Sequence, residues 1–168
     1  VVVRVDWESD LASALVNAVL DEVAAVESGN VAVICPASRL SDCSEALSAA
    51  GIDHGVAIEQ GLNHQVTVVP VGIVKGLELD ATVVVDPAAI IAEEAQGMRA
   101  LYVALTRARK KLFLLSAESR VIFGSVQSNA ASRFLDEIPG ELCEDKEHTA
   151  GQAKHKGFGG SSYGGYGG

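Results

Sequence analysis

The apolar positions of this chain change period several times, and each change predicts an element. "VVVRV" (1–5) reads as a short strand. Leu11, Leu15, Val19, Val23 and Val26 recur at helical spacing, which predicts a helix over 9–29, with Ser9 or Asp10 at its start and Gly29 at its end. "VAVICP" (31–36) is a continuous apolar run closed by proline and reads as a buried strand. "SRLSDCSEALSAAG" (38–51) predicts a second amphipathic helix, again closed by glycine. "HGVAI" (54–58) and "VTVVPV" (66–71) predict further strands, the latter at an edge or ending near Pro70. "ATVVVDP" (81–87) is the most strongly strand-like stretch.

Residues 90–109 predict a third helix, running through Gly97, with Ile91, Ala95, Met98, Leu101 and Leu105 as its apolar stripe. Arg99, Val103 and Arg107 then follow an i, i+4, i+8 line on another side. On that helix Arg107 points nearly opposite Met98 and is not a core side chain. "KLFLLSA" (111–117) predicts a final strand, with "SRVIFG" and "NAASRFLDEIP" as short helical or irregular pieces packing back. Strands alternating with helices predict an α/β domain with a mainly parallel sheet. The domain is placed at 1–139. Residues 140–168 are poor in aliphatic residues and end in glycine with Phe158, Tyr163 and Tyr166. Such a composition buries too little surface to offset its ordering entropy, which predicts a disordered tail.

Composition refines this picture. Apolar residues make up 48% and charged residues 21% of 168, enough for a buried core. Cys35, Cys43 and Cys143 form no CxxC or Cys/His cluster, and the four histidines lack ligand spacing. They read as reduced cytosolic thiols and as exposed or loosely packed imidazoles, without a metal site. No apolar stretch is long enough to span a membrane. The chain begins at Val1 with no signal peptide and is expected to be a segment of something larger.

The formal charge of −9 is unevenly placed. Residues 1–98 hold three basic residues (Arg4, Arg39 and Lys75) against fifteen acidic ones. Six of the thirteen basic residues fall between Arg99 and Arg120, opposed only by Glu118. A basic block beside a packed region suggests an anionic partner. Arginine presents a planar fork for phosphate oxygens, whereas Arg109, Lys110 and Lys111 are equally explained as a helix C-terminus complementing its own dipole.

Two motifs carry the functional reading. In "VKGLELD" (74–80), Gly72 and Gly76 flank Lys75, and Glu78 follows. Glycine lets the backbone turn tightly near a ligand, lysine can meet a phosphate, and a carboxylate can accept from sugar hydroxyls. "LYVALTRARKK" (101–111) places Thr106 and Arg107 near a helix end. In this order and spacing the motifs resemble motifs V and VI of the UvrD/PcrA/Rep-like superfamily I helicases. "SAESRVIFGSVQSNAASRFLDEIP" (116–139) is similar to the stretch that follows motif VI in that family. The likeness covers 66–139 well and the first sixty residues loosely.

The resemblance implies the second, C-terminal RecA-like domain of an ATP-driven DNA helicase or translocase. It implies that Arg107 contacts the γ-phosphate as an arginine finger and that Glu78 lies near the ribose. Lys75 and Gly76 would shape the same loop, Thr106 and Tyr102 would position the motif VI helix, and Arg99 matches an arginine that commonly precedes it. It implies ATP with Mg²⁺, held mainly by an N-terminal RecA-like domain not contained in this chain, and single-stranded DNA as partner. No GxxxxGK[ST] phosphate loop is present, and Asp86 reads as a strand-end residue. This segment alone is therefore expected not to hydrolyse ATP.

In UvrD-like proteins motif V begins with a Thr-Leu-His run whose polar groups touch single-stranded DNA. Here Pro70, Val71 and Gly72 stand there. The form "VVPVGIVKGLELD" looks more like the HelD branch, whose members act on RNA polymerase. Three readings stay open: a DNA helicase domain, a HelD-like polymerase-remodelling ATPase, and a non-catalytic RecA-like protein-binding module, which the acidic first half suits.

Overall fold

The computed structural model describes residues 2–7, 10–122, 125–128 and 145–148. Its strands are β1 (Val2–Trp7), β2 (Val31–Cys35), β3 (Gly55–Val56), β4 (Val66–Pro70), β5 (Leu79–Val85), β6 (Ala108–Ile122), β7 (Ser125–Ser128) and β8 (Asp145–His148). Its helices are α1 (Leu11–Val26), α2 (Leu40–Ala49), α3 (Ala57–Gln60), α4 (Pro87–Glu93) and α5 (Gly97–Leu105). The sheet order is β3-β4-β2-β5-β6-β1-β8, and every pair along it is parallel. β7 pairs antiparallel with β6. The α/β architecture with a mainly parallel sheet between helices is thus observed.

The central strands are apolar on both faces because both are covered. Val31, Val33 and Cys35 of β2, with Val83 and Phe113 on neighbouring strands, pack with α1 and α2. The alternate residues Ala32, Ile34, Val84 and Leu114 pack with Ile90 of α4 and with Leu101 and Ala104 of α5. The period of two sends successive side chains to opposite faces. The α1 stripe is as expected: Leu11, Leu15, Val19 and Val26 are buried, and Val23 packs against them. Asp10 occupies the N-cap of α1, although its side chain makes no capping hydrogen bond.

The single helix expected over 90–109 is corrected to two. α4 starts earlier, at Pro87, because the Asp86 carboxylate accepts from the Ala89 N–H at 3.2 Å and proline suits the first helical position. Asp86 adopts a left-handed conformation (φ 50°), is 2% exposed and lies 3.8 Å from the Arg39 Nε. Glu94–Gln96 separate α4 from α5. A Cβ at Gly97 would stand 2.2 Å from the Ile91 carbonyl oxygen, so only glycine permits this close turn. The apolar stripe moves accordingly. Gly97, Leu101 and Ala104 are the buried face of α5, while Met98 is exposed. The helix ends at Leu105, so Arg107 lies beyond it.

The C-terminal expectations change too. "SRVI" is not helical but continues β6, which turns back in register with β7 through Val121↔Val126 and Ile122↔Ser125. Four residues inside the stretch expected to be a disordered tail, Asp145–His148, form β8 beside β1. Ladder hydrogen bonds use backbone alone, so such a pairing needs none of the apolar content that composition measures. Residues 129–144 and 149–168, with Cys143 and His155, lie outside the described residues. Among the described residues no helix is long and apolar enough to cross a membrane, and no group of three or more His, Cys, Asp or Glu side chains has metal-binding geometry.

Candidate nucleotide-coupling site

β4 and β5 are parallel, so the chain must return from the end of one to the start of the other. It does so in eight residues without an α-helix. A 3-10 turn at Val71–Ile73 is followed by a turn closed by the Leu77 N–H donating to the Val74 carbonyl at 3.2 Å. Lys75 and Gly76 occupy the middle of that turn. Gly76 has φ 87°, a conformation that costs glycine little and a β-branched residue much. Val71 and Val74 anchor the connection beneath α5, in the core of that sheet face. Lys75, Gly76 and Glu78 are left exposed along it.

The second half of the site comes from the end of α5. Thr106 is the C-cap, and its hydroxyl donates to the Tyr102 carbonyl at 3.0 Å and the Val103 carbonyl at 3.1 Å. These bonds satisfy carbonyls left over where the helix stops. Arg107 follows in the turn, its N–H donating to the Ala104 carbonyl at 3.2 Å. β6 then begins, and its first residue pairs with the first residue of β5, Leu79↔Ala108. Glu78 and Arg107, each one residue earlier, are therefore backbone neighbours at the edge where both strands start. Contact across 29 residues of sequence is made by the parallel pairing alone.

Arg107 is half-buried, and its Nε is buried without a hydrogen-bond partner. A buried guanidinium N–H with no acceptor costs on the order of 1–3 kcal/mol. This feature distinguishes Arg107 from a solvated basic residue. Arg99 is exposed, donates to the Gln96 side chain at 3.3 Å, and lies in the first turn of α5, whereas Arg107 follows the helix's other end. The fold does not gather it to the Glu78–Arg107 edge. Tyr102 is 67% exposed, so its ring does not pack the helix in place; only its carbonyl serves the Thr106 cap.

The remaining candidates settle as structural groups. Cys35 and Cys43 are buried and free; the hydrogen bond to the Cys43 thiol, together with burial, raises Cys35 far above the ordinary thiol range. Cys35 is therefore an inert, protonated thiol. His54 is half-buried and firmly held rather than loose, with Nδ1 against the Ile52 carbonyl at 2.9 Å and Nε2 against the Ser44 hydroxyl at 2.8 Å. Pattern reading missed Asn30 and Asp80, which bond to each other across 50 residues of sequence, because nothing local marks either one.

The sequence model of the UvrD-like helicase C-terminal domain matches residues 65–115. This range contains both halves of the site. ATP-dependent DNA helicase PcrA of Staphylococcus aureus (strain Mu50) is 47% identical over 60 residues, 36% of this chain and 8% of that protein. PcrA of Staphylococcus epidermidis (strain ATCC 35984) is 46% identical over 57 residues, 34% of this chain and 8% of that protein. The chain thus matches less than a tenth of the length of these curated relatives. Among solved structures, the C-terminal domain of a possible DNA helicase from Lactobacillus plantarum WCFS1 superposes with a TM-score of 0.54 at 26% identity, over 69% of this chain and 72% of that one. The SWI2/SNF2 ATPase core of Sulfolobus solfataricus, solved with double-stranded DNA, gives 0.53 at 16% identity, over 74% of this chain and 27% of that one, a likeness of fold alone.

Proposed function

We propose that this chain, whose residues 65–115 match the UvrD-like helicase C-terminal domain and resemble PcrA helicases, is the ATP-coupling half of a DNA helicase or translocase. In this reading ATP and Mg²⁺ are held mainly by a phosphate loop on an N-terminal RecA-like domain, which closes against the edge where β5 and β6 begin. Arg107 reaches across the cleft and stabilises charge developing on the γ-phosphate, as arginine fingers do. Glu78, beside it, accepts from the ribose hydroxyls. The exposed Lys75–Gly76 turn shapes the loop, and Thr106 terminates α5 so that Arg107 is presented from a turn rather than from a helix face. Alternate closing and opening of the cleft moves single-stranded DNA.

The observation that carries this reading is the place of Arg107 in the turn between α5 and β6, one residue before the Leu79↔Ala108 pairing that makes its backbone the neighbour of Glu78. Mg²⁺ would neutralise the phosphate oxygens. The donor set on this side, one guanidinium and one exposed carboxylate, suits an anionic nucleotide rather than a metal of its own. Glu78→Ala in the intact protein is expected to raise the KM for ATP by roughly tenfold, the size of one lost charge-assisted hydrogen bond, with a smaller change in kcat. Steady-state ATPase kinetics measure both. An unchanged KM would remove the ribose role.

A second reading has one observation in its favour. Pro70 and Val71, where UvrD-like proteins carry polar DNA-contacting groups, are buried, Val71 at 3% exposure. This stretch offers a nucleic-acid strand no hydroxyl or imidazole. A HelD-like ATPase that remodels RNA polymerase would not need one there. Stimulation of the intact ATPase by single-stranded DNA, set against its retention on immobilised RNA polymerase, separates the two: the first alone supports the helicase, the second alone the remodelling factor.

A further inference from the structure

We infer that Asn30 is a positioning residue for this site, acting through a clamp on Glu78 and Asp80; the inference rests on the nucleotide-coupling reading above. Asn30 stands between α1 and β2 and touches the start of β5 with four hydrogen bonds. Its backbone N–H donates to the Asp80 carboxylate at 3.1 Å, and its side-chain oxygen accepts from the Asp80 N–H at 2.9 Å. Its side-chain amide donates to the Glu78 carbonyl at 3.5 Å, and its own carbonyl accepts from the Ala81 N–H at 3.1 Å. Gly29 makes room for the carboxylate: a Cβ there would lie 2.9 Å from the Asp80 Oδ2.

The clamp sits where the sheet most needs one. β5 and β6 lose their regular register between Leu79 and Ala81, since the next pair is Ala81↔Lys111. One residue of β5, Asp80, opposes two of β6, Arg109 and Lys110, across this step, and such a bulge re-aims the chain beside it. Without it, Leu79 would face Arg109 rather than Ala108. The irregular step cannot hold its own alignment by ladder bonds, so a neighbour must. Asn30, the residue just before the adjacent strand β2, holds the β5 side, fixing the backbone of Glu78. Pairing of Leu79 with Ala108 then carries that position to Arg107. Asn30, Glu78 and Arg107 form one row along the edge formed by the starts of β2, β5 and β6.

Double-mutant analysis in the intact protein tests this. Asn30→Asp preserves shape but removes the donor to Glu78 and sets a second carboxylate against Asp80. It is expected to lower kcat and raise the KM for ATP, for a combined loss of about tenfold or more in kcat/KM. Adding Asp80→Asn relieves the repulsion, while the donor to the Glu78 carbonyl stays missing, and is expected to recover part but not all of that loss on a logarithmic scale. Both are measured well below the unfolding midpoint, so that a purely structural role, which lowers the midpoint alone, leaves the constants unmoved. Should Asn30→Asp not fold, Asn30→Ala removes both side-chain bonds, to the Glu78 carbonyl and from the Asp80 N–H, without adding charge, and a loss of at least about tenfold is expected. Kinetic constants within twofold of the parent for the folded variant overturn the clamp. The Arg107→Ala variant is assayed in parallel. If it abolishes turnover while the Asn30 variants do not alter it, only the clamp fails; if it leaves turnover intact, the site reading fails and takes the clamp with it.

Discussion

Arg107→Ala in the intact protein is expected to reduce ATP turnover on the order of 1,000-fold while leaving the denaturation midpoint almost unchanged. That factor corresponds to about 4 kcal/mol of transition-state stabilisation. The two halves of the expectation have separate causes. Loss of turnover follows from removing a fixed positive fork from the developing phosphate charge. Retained stability follows from the position of Arg107 in a turn beyond α5, with a buried Nε that no protein acceptor satisfies. Removing an unmatched buried donor relieves a cost as well as removing packing. Arg107→Lys keeps the charge but not the planar fork and is expected to recover only a small part of the rate. Turnover within a few-fold of the parent for Arg107→Ala, measured by phosphate release, would refute the arginine-finger assignment.

Phe113→Ala has the largest expected effect on stability. Phe113 lies on β6, between the pairings to β5 and β1, is 1% exposed, and packs on the face covered by α1 and α2. Truncation of a buried phenylalanine leaves a cavity that a sheet pinned on both sides closes only partly, at a cost of about 3–5 kcal/mol. Ile58→Ala, on a residue 63% exposed, is expected to change stability by less than about 0.5 kcal/mol. Denaturant unfolding of the two variants measures the contrast. Equal midpoints would mean that the sheet is not the core of the folding unit. Because β6 also presents the paired edge beside Arg107, the phenylalanine variant links core packing to the site.

Much of the candidate site was legible in the chain. The resemblance carried by "VKGLELD" and "LYVALTRARKK" pointed to Glu78 and Arg107, and the pairing of β5 with β6 places their backbones side by side. Arg99 was added from the resemblance, and a continuous helix would also place it on the Arg107 line. That projection fails where α5 ends at Leu105. The break before α5 was marked by Gly97, but glycine is tolerated inside many helices. Its necessity here comes from the Ile91 carbonyl, which no local pattern reveals. The resemblance gave Tyr102 a part in positioning the motif VI helix, yet the buried face of α5 passes through Leu101 and Ala104 and leaves the Tyr102 ring exposed.

Hydrophobic periodicity alone determined the α/β class, the α1 stripe, and the approximate places of β1, β2, β4 and β5, because burial on one or two faces repeats at the spacing of the backbone itself. Tertiary structure decided the rest. The extent of β6 depends on β7, β8 depends on β1, and the Asn30 clamp joins residues 50 positions apart. These are cross-strand hydrogen bonds and close approaches, made between atoms that meet only after folding and that impose no rhythm on the residues beside them.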